Sequence, residues 1–146
     1  MKARRDLAVL VLASALLLLY ALQASLDLEW PALVRAQADD TYKLVTGLGL
    51  AGYLYFQWSA RRSRHLLAGA FAPLVLYVHS ARFGYGYLVL LVSIYLATAL
   101  AGMLHQPVIA LRRRWVFTAW FVVHVSLATV LVMLAGYHVV IALAYE

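Results

Sequence analysis

Cysteine is absent from the 146 residues, and charged side chains make up only 12% of them. Without cysteine the chain has no disulfide, thiolate metal site, iron–sulfur cluster or thiol nucleophile. Only three prolines interrupt it, whereas hydrophobic residues reach 66% and the mean hydropathy is +0.85. A soluble domain cannot bury so much apolar surface, which indicates a membrane protein.

Five apolar runs divide the chain, and their lengths suit helices that cross a bilayer. They lack the alternation of polar and apolar residues that strands of a membrane barrel show. We therefore predict an all-α, polytopic membrane helical bundle that forms a single domain over residues 1–146. Small residues after the first run are typical of a signal-peptide cleavage site, but we interpret this run as a retained span. The five predicted spans are residues 7–23, 43–60, 64–82, 86–105 and 114–144.

Basic residues set the predicted orientation. Nine of the twelve Lys and Arg fall on one side of the bundle, namely Lys2, Arg4, Arg5, Arg61, Arg62, Arg64, Arg112, Arg113 and Arg114. Arg35, Lys43 and Arg82 fall on the other side, together with five of the six acids. The positive-inside rule then places the N-terminus in the cytoplasm and the C-terminus outside, as in a bacterial inner membrane protein. The net charge of +6 reflects topology, so it does not call for a nucleic-acid partner.

Four of the five histidines form two pairs with equal spacing. His65 and His79 are fourteen positions apart on the third span, and His124 and His138 are fourteen apart on the fifth. Fourteen residues make close to four helical turns, so each pair projects from nearly the same face with about 21 Å between its members. The third and fifth spans run parallel. The spacing therefore predicts that His65 faces His124 near the cytoplasm and that His79 faces His138 near the outer surface.

Two imidazoles at each level favour haem over a bare metal ion. A structural zinc site needs three or four protein ligands, whereas a porphyrin supplies four nitrogens and leaves two axial positions for histidine. Haem propionates need cationic partners, for which Arg82 is the outer candidate and Arg61, Arg62, Arg64 and Arg112 to Arg114 are the inner ones. Glycines within the spans would let a flat macrocycle approach, or would only let helices pack closely. Pro73, midway between His65 and His79, predicts a bend in the third span.

His105 differs from the other histidines because it ends the fourth span near the cytoplasmic surface. It is either an ordinary interfacial histidine or a contact to a propionate or a quinol. The segment LEWPALVRAQADD, between the first two spans, is predicted to form a short interfacial helix with Trp30 at headgroup depth.

Two His-x13-His spans separated by one other span resemble the dihaem core of b-type membrane cytochromes. The resemblance covers about residues 44–145. It extends to ferric-reductase-like transmembrane domains, whose ligands lie on the third and fifth helices, and to the four-helix dihaem core of quinol-oxidising cytochrome b. It implies two haem b groups with His65, His79, His124 and His138 as axial ligands. No G-x-G-x-x-G follows a strand, and the Pro-Glu-Trp motif of the cytochrome b quinol site does not occur. Either resemblance therefore implies a separate electron donor or acceptor.

The sequence therefore predicts a transmembrane electron-transfer protein, an oxidoreductase component that serves as a subunit of a larger complex in the lipid bilayer. Its expected partners are a membrane quinone or a cytoplasmic flavoprotein on one side and a periplasmic redox partner on the other. A haem-free transporter or proton conductor with a histidine relay is the first alternative. A purely structural membrane anchor is the second.

Overall fold

The computed structural model describes residues 2–145, except for the side chains of Lys2, Ala3, Arg5, Arg62, Gln106 and Pro107. Within this range the chain forms seven helices and no strand, so the all-α prediction is confirmed. The helices are α1 (Lys2–Ser25), α2 (Pro31–Gln37), α3 (Asp40–Ser59), α4 (Arg62–His79), α5 (Tyr87–Met103), α6 (His105–Ala110) and α7 (Arg114–Tyr145). Met1 and Glu146, the acid at the C-terminus, lie outside the described residues.

Three segments of the described chain are long and apolar enough to cross a membrane. They are Asp6–Ser25 in α1, Tyr87–Ala110 in α5 and α6, and Arg114–Tyr145, which is α7. The sequences of α3 and α4 include more polar residues, such as Lys43 and Gln57 in α3 and the two histidines of α4. The long apolar helices are compatible with an integral membrane protein, and the five-span arrangement stays a prediction.

Helix α5 is the element that α4 and α7 share. Helix α4 packs against α1, α3 and α5, whereas α7 packs against α5 and α6. The buried core joins Tyr20 of α1, Ala72 and Leu76 of α4, Val92 and Tyr95 of α5 and Leu131 of α7. Both histidine-bearing helices therefore pack against α5, and a gap remains between them beside the core contact of Leu131.

Pro73 lies inside α4, as the sequence predicts, and is fully buried. Proline has no backbone N–H, so the carbonyl of Gly69 loses its helical donor. Two tyrosine hydroxyls donate to carbonyls on either side of Gly69. Tyr53 of α3 reaches Ala68 at 2.5 Å, and Tyr95 of α5 reaches Ala72 at 2.8 Å. These hydrogen bonds tie the middle of α4 to two of its neighbours, α3 and α5.

The segment predicted to be an interfacial helix forms α2, with Pro31 as its first residue and an exposed Trp30 before it. Its last residue, Gln37, reaches the C-terminal end of α4. The Gln37 amide donates to the carbonyls of Tyr77 at 2.8 Å and Val78 at 3.1 Å, and its oxygen accepts from the N–H of Ala81. The last carbonyls of a helix have no partner within it. Helix α2 thus caps α4 at the end that carries His79.

Candidate functional site

The structure brings the four spaced histidines together in two pairs across the gap between α4 and α7. The ring centres of His65 and His124 are 6.2 Å apart, with the ring planes at 82°. Those of His79 and His138 are 6.4 Å apart, with the planes at 68°. The 18 residues of α4 make a helix about 27 Å long, so its two histidines lie near its opposite ends.

The starts of the two helices explain how His65 and His124 reach the same level. Helix α4 begins at Arg62, three residues before His65, whereas α7 begins at Arg114, ten residues before His124. Because α7 has 32 residues, it is about 48 Å long and exceeds the thickness of the hydrocarbon layer, about 30 Å. The first turns of α7 extend past the start of α4, so the two rings lie at equal depth.

The separation within each pair matches a metal ion between two imidazoles. A bound nitrogen lies about 2 Å from its metal and about 1 Å from its ring centre, so opposed axial rings have centres about 6 Å apart. Two imidazoles joined by a direct hydrogen bond would have centres about 5 Å apart, since the bonded nitrogens are about 3 Å apart. Both observed distances, 6.2 and 6.4 Å, are compatible with the first arrangement and also lie in the range of edge-to-face ring contacts.

Hydrogen bonds to Nδ1 orient both histidines of α4. The Nδ1 atom of His65 lies 2.8 Å from the carbonyl oxygen of Gln57, which can only accept, so Nδ1 carries the proton and Nε2 the lone pair that binds metals. The Nδ1 atom of His79 lies 3.1 Å from the hydroxyl of Thr46, which also has the carbonyls of Tyr42 and Lys43 within reach at 2.7 and 3.3 Å. Thr46 can therefore accept from Nδ1–H of His79 while it donates its own proton to a backbone carbonyl.

The histidines of α7 are held by different neighbours. Tyr87 of α5 places its hydroxyl 3.0 Å from Nδ1 of His138. Trp120 stacks on His124, with the rings within 6° of parallel and their centres 5.6 Å apart. The indole N–H of Trp120 donates to the carbonyl of Ala101 at 2.6 Å, which attaches this stacked ring to α5. Each α7 histidine is thus oriented by a residue that is bonded to α5 or belongs to it.

A cavity of about 1540 Å³ surrounds the inner pair. His65 and His124 both line it, and its walls come from α1, α3, α4, α5, α6 and α7. Most of the lining is apolar, and it includes the small residues Gly69, Gly102 and Ala128, whose side chains take up little of the space. The volume exceeds the roughly 300–1,000 Å³ of a typical small-molecule site. The cavity therefore has room for a large, mainly apolar group at the level of His65 and His124.

Two glycines allow helices to approach the histidine rings. A Cβ added at Gly47 of α3 would lie 3.1 Å from Cε1 of His79, and one at Gly102 of α5 would lie 3.4 Å from Cε1 of His124. Real Cβ atoms seldom approach other atoms as closely as the first of these distances. A side chain at position 47 would therefore press on the His79 ring, whereas one at Gly49 would meet no atom within 4 Å.

The remaining predicted site residues lie at the two ends of the bundle. Arg82 forms a two-point ion pair with Glu29, in which Nη2 and Oε2 are 2.8 Å apart. This hydrogen-bonded pairing lowers the pKa of Glu29 below its ordinary value. His105 lines the inner cavity, and its ring lies 5.2 Å from that of Trp120. Arg61 lines the same cavity, close to the start of α4. A propionate contact for Arg82 and a propionate or quinol contact for His105 stay predictions.

Sequence reasoning missed Thr46, Gln57, Tyr87 and Trp120. Trp120 precedes His124 by four residues and so shares its helix face, a signal that the sequence does carry. Thr46 and Tyr87 lie on other helices than the rings they contact, and Gln57 contributes only a backbone carbonyl. No spacing in the sequence connects these three residues to a histidine.

Among the described residues no three His, Asp or Glu side chains converge as they would to hold a bare metal ion. Each level offers two imidazoles. Comparison of the chain with protein-family models, with curated proteins and with solved structures gives no match. The geometry of the site is therefore the basis for assigning a function.

Proposed function

We propose that this chain is a dihaem b-type cytochrome that carries electrons across a lipid bilayer. The observation that carries the proposal is the pair of histidine rings at each level, with centres 6.2 and 6.4 Å apart across the gap between α4 and α7. Haem b, when bound, would supply one-electron redox chemistry. The residues that would hold it are His65 with His124 and His79 with His138.

The donor set fits this group better than it fits a bare ion. Only two protein nitrogens are needed for a haem iron, because the macrocycle provides the other four. The carbonyl beside Nδ1 of His65 makes it the Nδ1–H tautomer, with the Nε2 lone pair that coordination requires, and the Thr46 hydroxyl beside Nδ1 of His79 is compatible with the same tautomer. The apolar walls around the inner pair would exclude water from the ring faces, and Arg61 could pair with a propionate at the cytoplasmic end.

We infer a five-span topology for the same protein, with α1, α3, α4, α5 and α7 crossing a bacterial inner membrane and the N-terminus in the cytoplasm. The distribution of basic residues supports this orientation. Polar groups in α3 and α4 would be tolerated because they serve the site or the helix ends. A membrane quinol or a cytoplasmic flavoprotein would deliver electrons on one side and a periplasmic redox protein would accept them on the other, or the reverse. Such a chain would act within a larger oxidoreductase complex.

Haem content tests the proposal directly. We expect protein purified from cells supplied with haem precursors to bind two haem b per chain, as measured by the pyridine haemochrome assay. Its reduced spectrum should show α-bands from two environments, because the two levels differ in their neighbours. Folded protein that takes up no haem, during expression or on later addition, would overturn the proposal. It would leave the histidine relay or the structural anchor as the function.

Gly47→Ala is expected to weaken the outer haem site selectively. The new Cβ would meet His79 at 3.1 Å and push its ring out of line. Disturbing the surroundings of a metal ligand commonly costs about tenfold or more in affinity, so we expect at least a tenfold weaker outer site. Haem titration of the stripped protein measures it. Gly49→Ala is the matched control, because its Cβ would enter open space. Equal losses in both variants would contradict the assignment.

A further inference from the structure

The two histidine levels differ in what receives the Nδ1 proton. At the inner level the acceptor of His65 is the carbonyl of Gln57, close to the end of α3. At the outer level both rings contact side-chain hydroxyls, Thr46 for His79 at 3.1 Å and Tyr87 for His138 at 3.0 Å. The two hydroxyls come from different helices, α3 and α5, and each contacts a different ring of the pair. Each can be removed by an almost isosteric substitution.

From this asymmetry we propose that Thr46 and Tyr87 are a pair of positioning residues that hold the axial rings of the outer haem and set its reduction potential. This inference rests on the proposed function. Thr46 can accept from His79, because its own proton has the backbone carbonyls of Tyr42 and Lys43 within reach at 2.7 and 3.3 Å. His138 can bind iron through Nε2 only as the Nδ1–H tautomer, so Tyr87 is then the acceptor there as well.

Thr46 and Tyr87 should change the reduction potential of the outer haem in the same direction. An acceptor at Nδ1 makes the imidazole a stronger base, which favours ferric over ferrous iron and lowers the potential. Removal of either hydroxyl leaves Nδ1–H without that acceptor and should therefore raise the potential of the outer haem. The inner haem should be unaffected, because its His65 contact is made by a backbone carbonyl that these substitutions do not alter.

The experiment is a potentiometric titration of the purified holoprotein, followed through the reduced α-bands. Thr46→Val and Tyr87→Phe should each raise the same one of the two midpoint potentials, and the double variant should raise it further. The affected component should be the one that disappears in His79→Ala. Thr118→Val and Tyr85→Phe are matched controls, because Thr118 makes the same bond within its helix to the carbonyl of Arg114 and Tyr85 is 91% exposed.

Three results would overturn the inference while the protein still holds two haems: no shift in either variant, a downward shift, or shifts in different components. If Thr46→Val loses the outer haem, Thr46→Ser decides the case. Serine restores the hydroxyl without the methyl group, so recovery of the haem and its potential supports the hydroxyl role, and continued loss contradicts it. A wild-type protein without haem would instead count against the proposed function itself.

Discussion

Replacing His79 with alanine is expected to leave the purified protein with one haem per chain, and His138→Ala should remove the same haem. His65→Ala and His124→Ala should each remove the other one. The reason is geometric, because each haem would take one ligand from α4 and one from α7 across gaps of 6.4 and 6.2 Å between ring centres. About 21 Å of helix separates the two levels, so loss at one leaves the other in place.

The measurement is haem content together with the position of the remaining α-band. His79→Ala and His138→Ala should have matching spectra, distinct from those of His65→Ala and His124→Ala. His105→Ala serves as the comparison, since His105 belongs to neither pair, and it should keep both haems. If His79→Ala and His124→Ala lost the same spectral component, the pairing would be wrong. Loss of both haems in all four folded variants would exclude two independent levels.

Single-cysteine labelling should show an all-or-none difference between two loop positions. The chain has no native cysteine, so each introduced thiol is the only one present. Ser59 lies at the end of α3 and is exposed, and Tyr85 lies between α4 and α5 and is 91% exposed. In a five-span protein these positions are on opposite sides of the membrane. An impermeant maleimide added to intact cells should label Tyr85→Cys and leave Ser59→Cys unlabelled until lysis.

The same pair of variants distinguishes five spans from three. If only the three most apolar segments crossed the membrane, α3 and α4 would remain on the outer side and both thiols would react in intact cells. Labelling of Ser59→Cys before lysis would therefore contradict the five-span arrangement. Leu28→Cys, in the connection between α1 and α2, should react in either case and reports that the first span is oriented correctly.

The sequence was sufficient to predict which segments are helical, because an apolar run of about 20 residues without regular alternation has few alternatives. The ends of the helices do not coincide with the limits of the predicted spans; α1, for example, begins at Lys2 and not at residue 7. Helix α4 ends at His79 and not at residue 82, since Ser80 turns extended and the glycines at 84 and 86 adopt positive φ. The predicted span 86–105 is divided at Leu104, where α5 gives way to α6.

Only the pairing of the histidines was predictable from the sequence, because it depends on helical periodicity. Equal spacing on two helices indicated that the four histidines would meet in pairs, since helical rise and rotation depend on residue number alone. The orientation of each ring depends on contacts between different helices. Thr46, Tyr87 and the Gln57 carbonyl reach their histidines through tertiary packing, and the stacking of Trp120 depends on its bond to Ala101 of α5. Such contacts leave no pattern in a single sequence.

The gap between α4 and α7 has a consequence for how the protein is assembled. Both helices pack against α5, and besides the core around Leu131 the two histidines of each pair approach each other across the space between them. Any group bound by both helices would cross-link α4 and α7. Because such a group binds the folded chain and not the unfolded one, it would raise the free energy of unfolding. The supply of the cofactor would then determine how much of the protein escapes degradation in the cell.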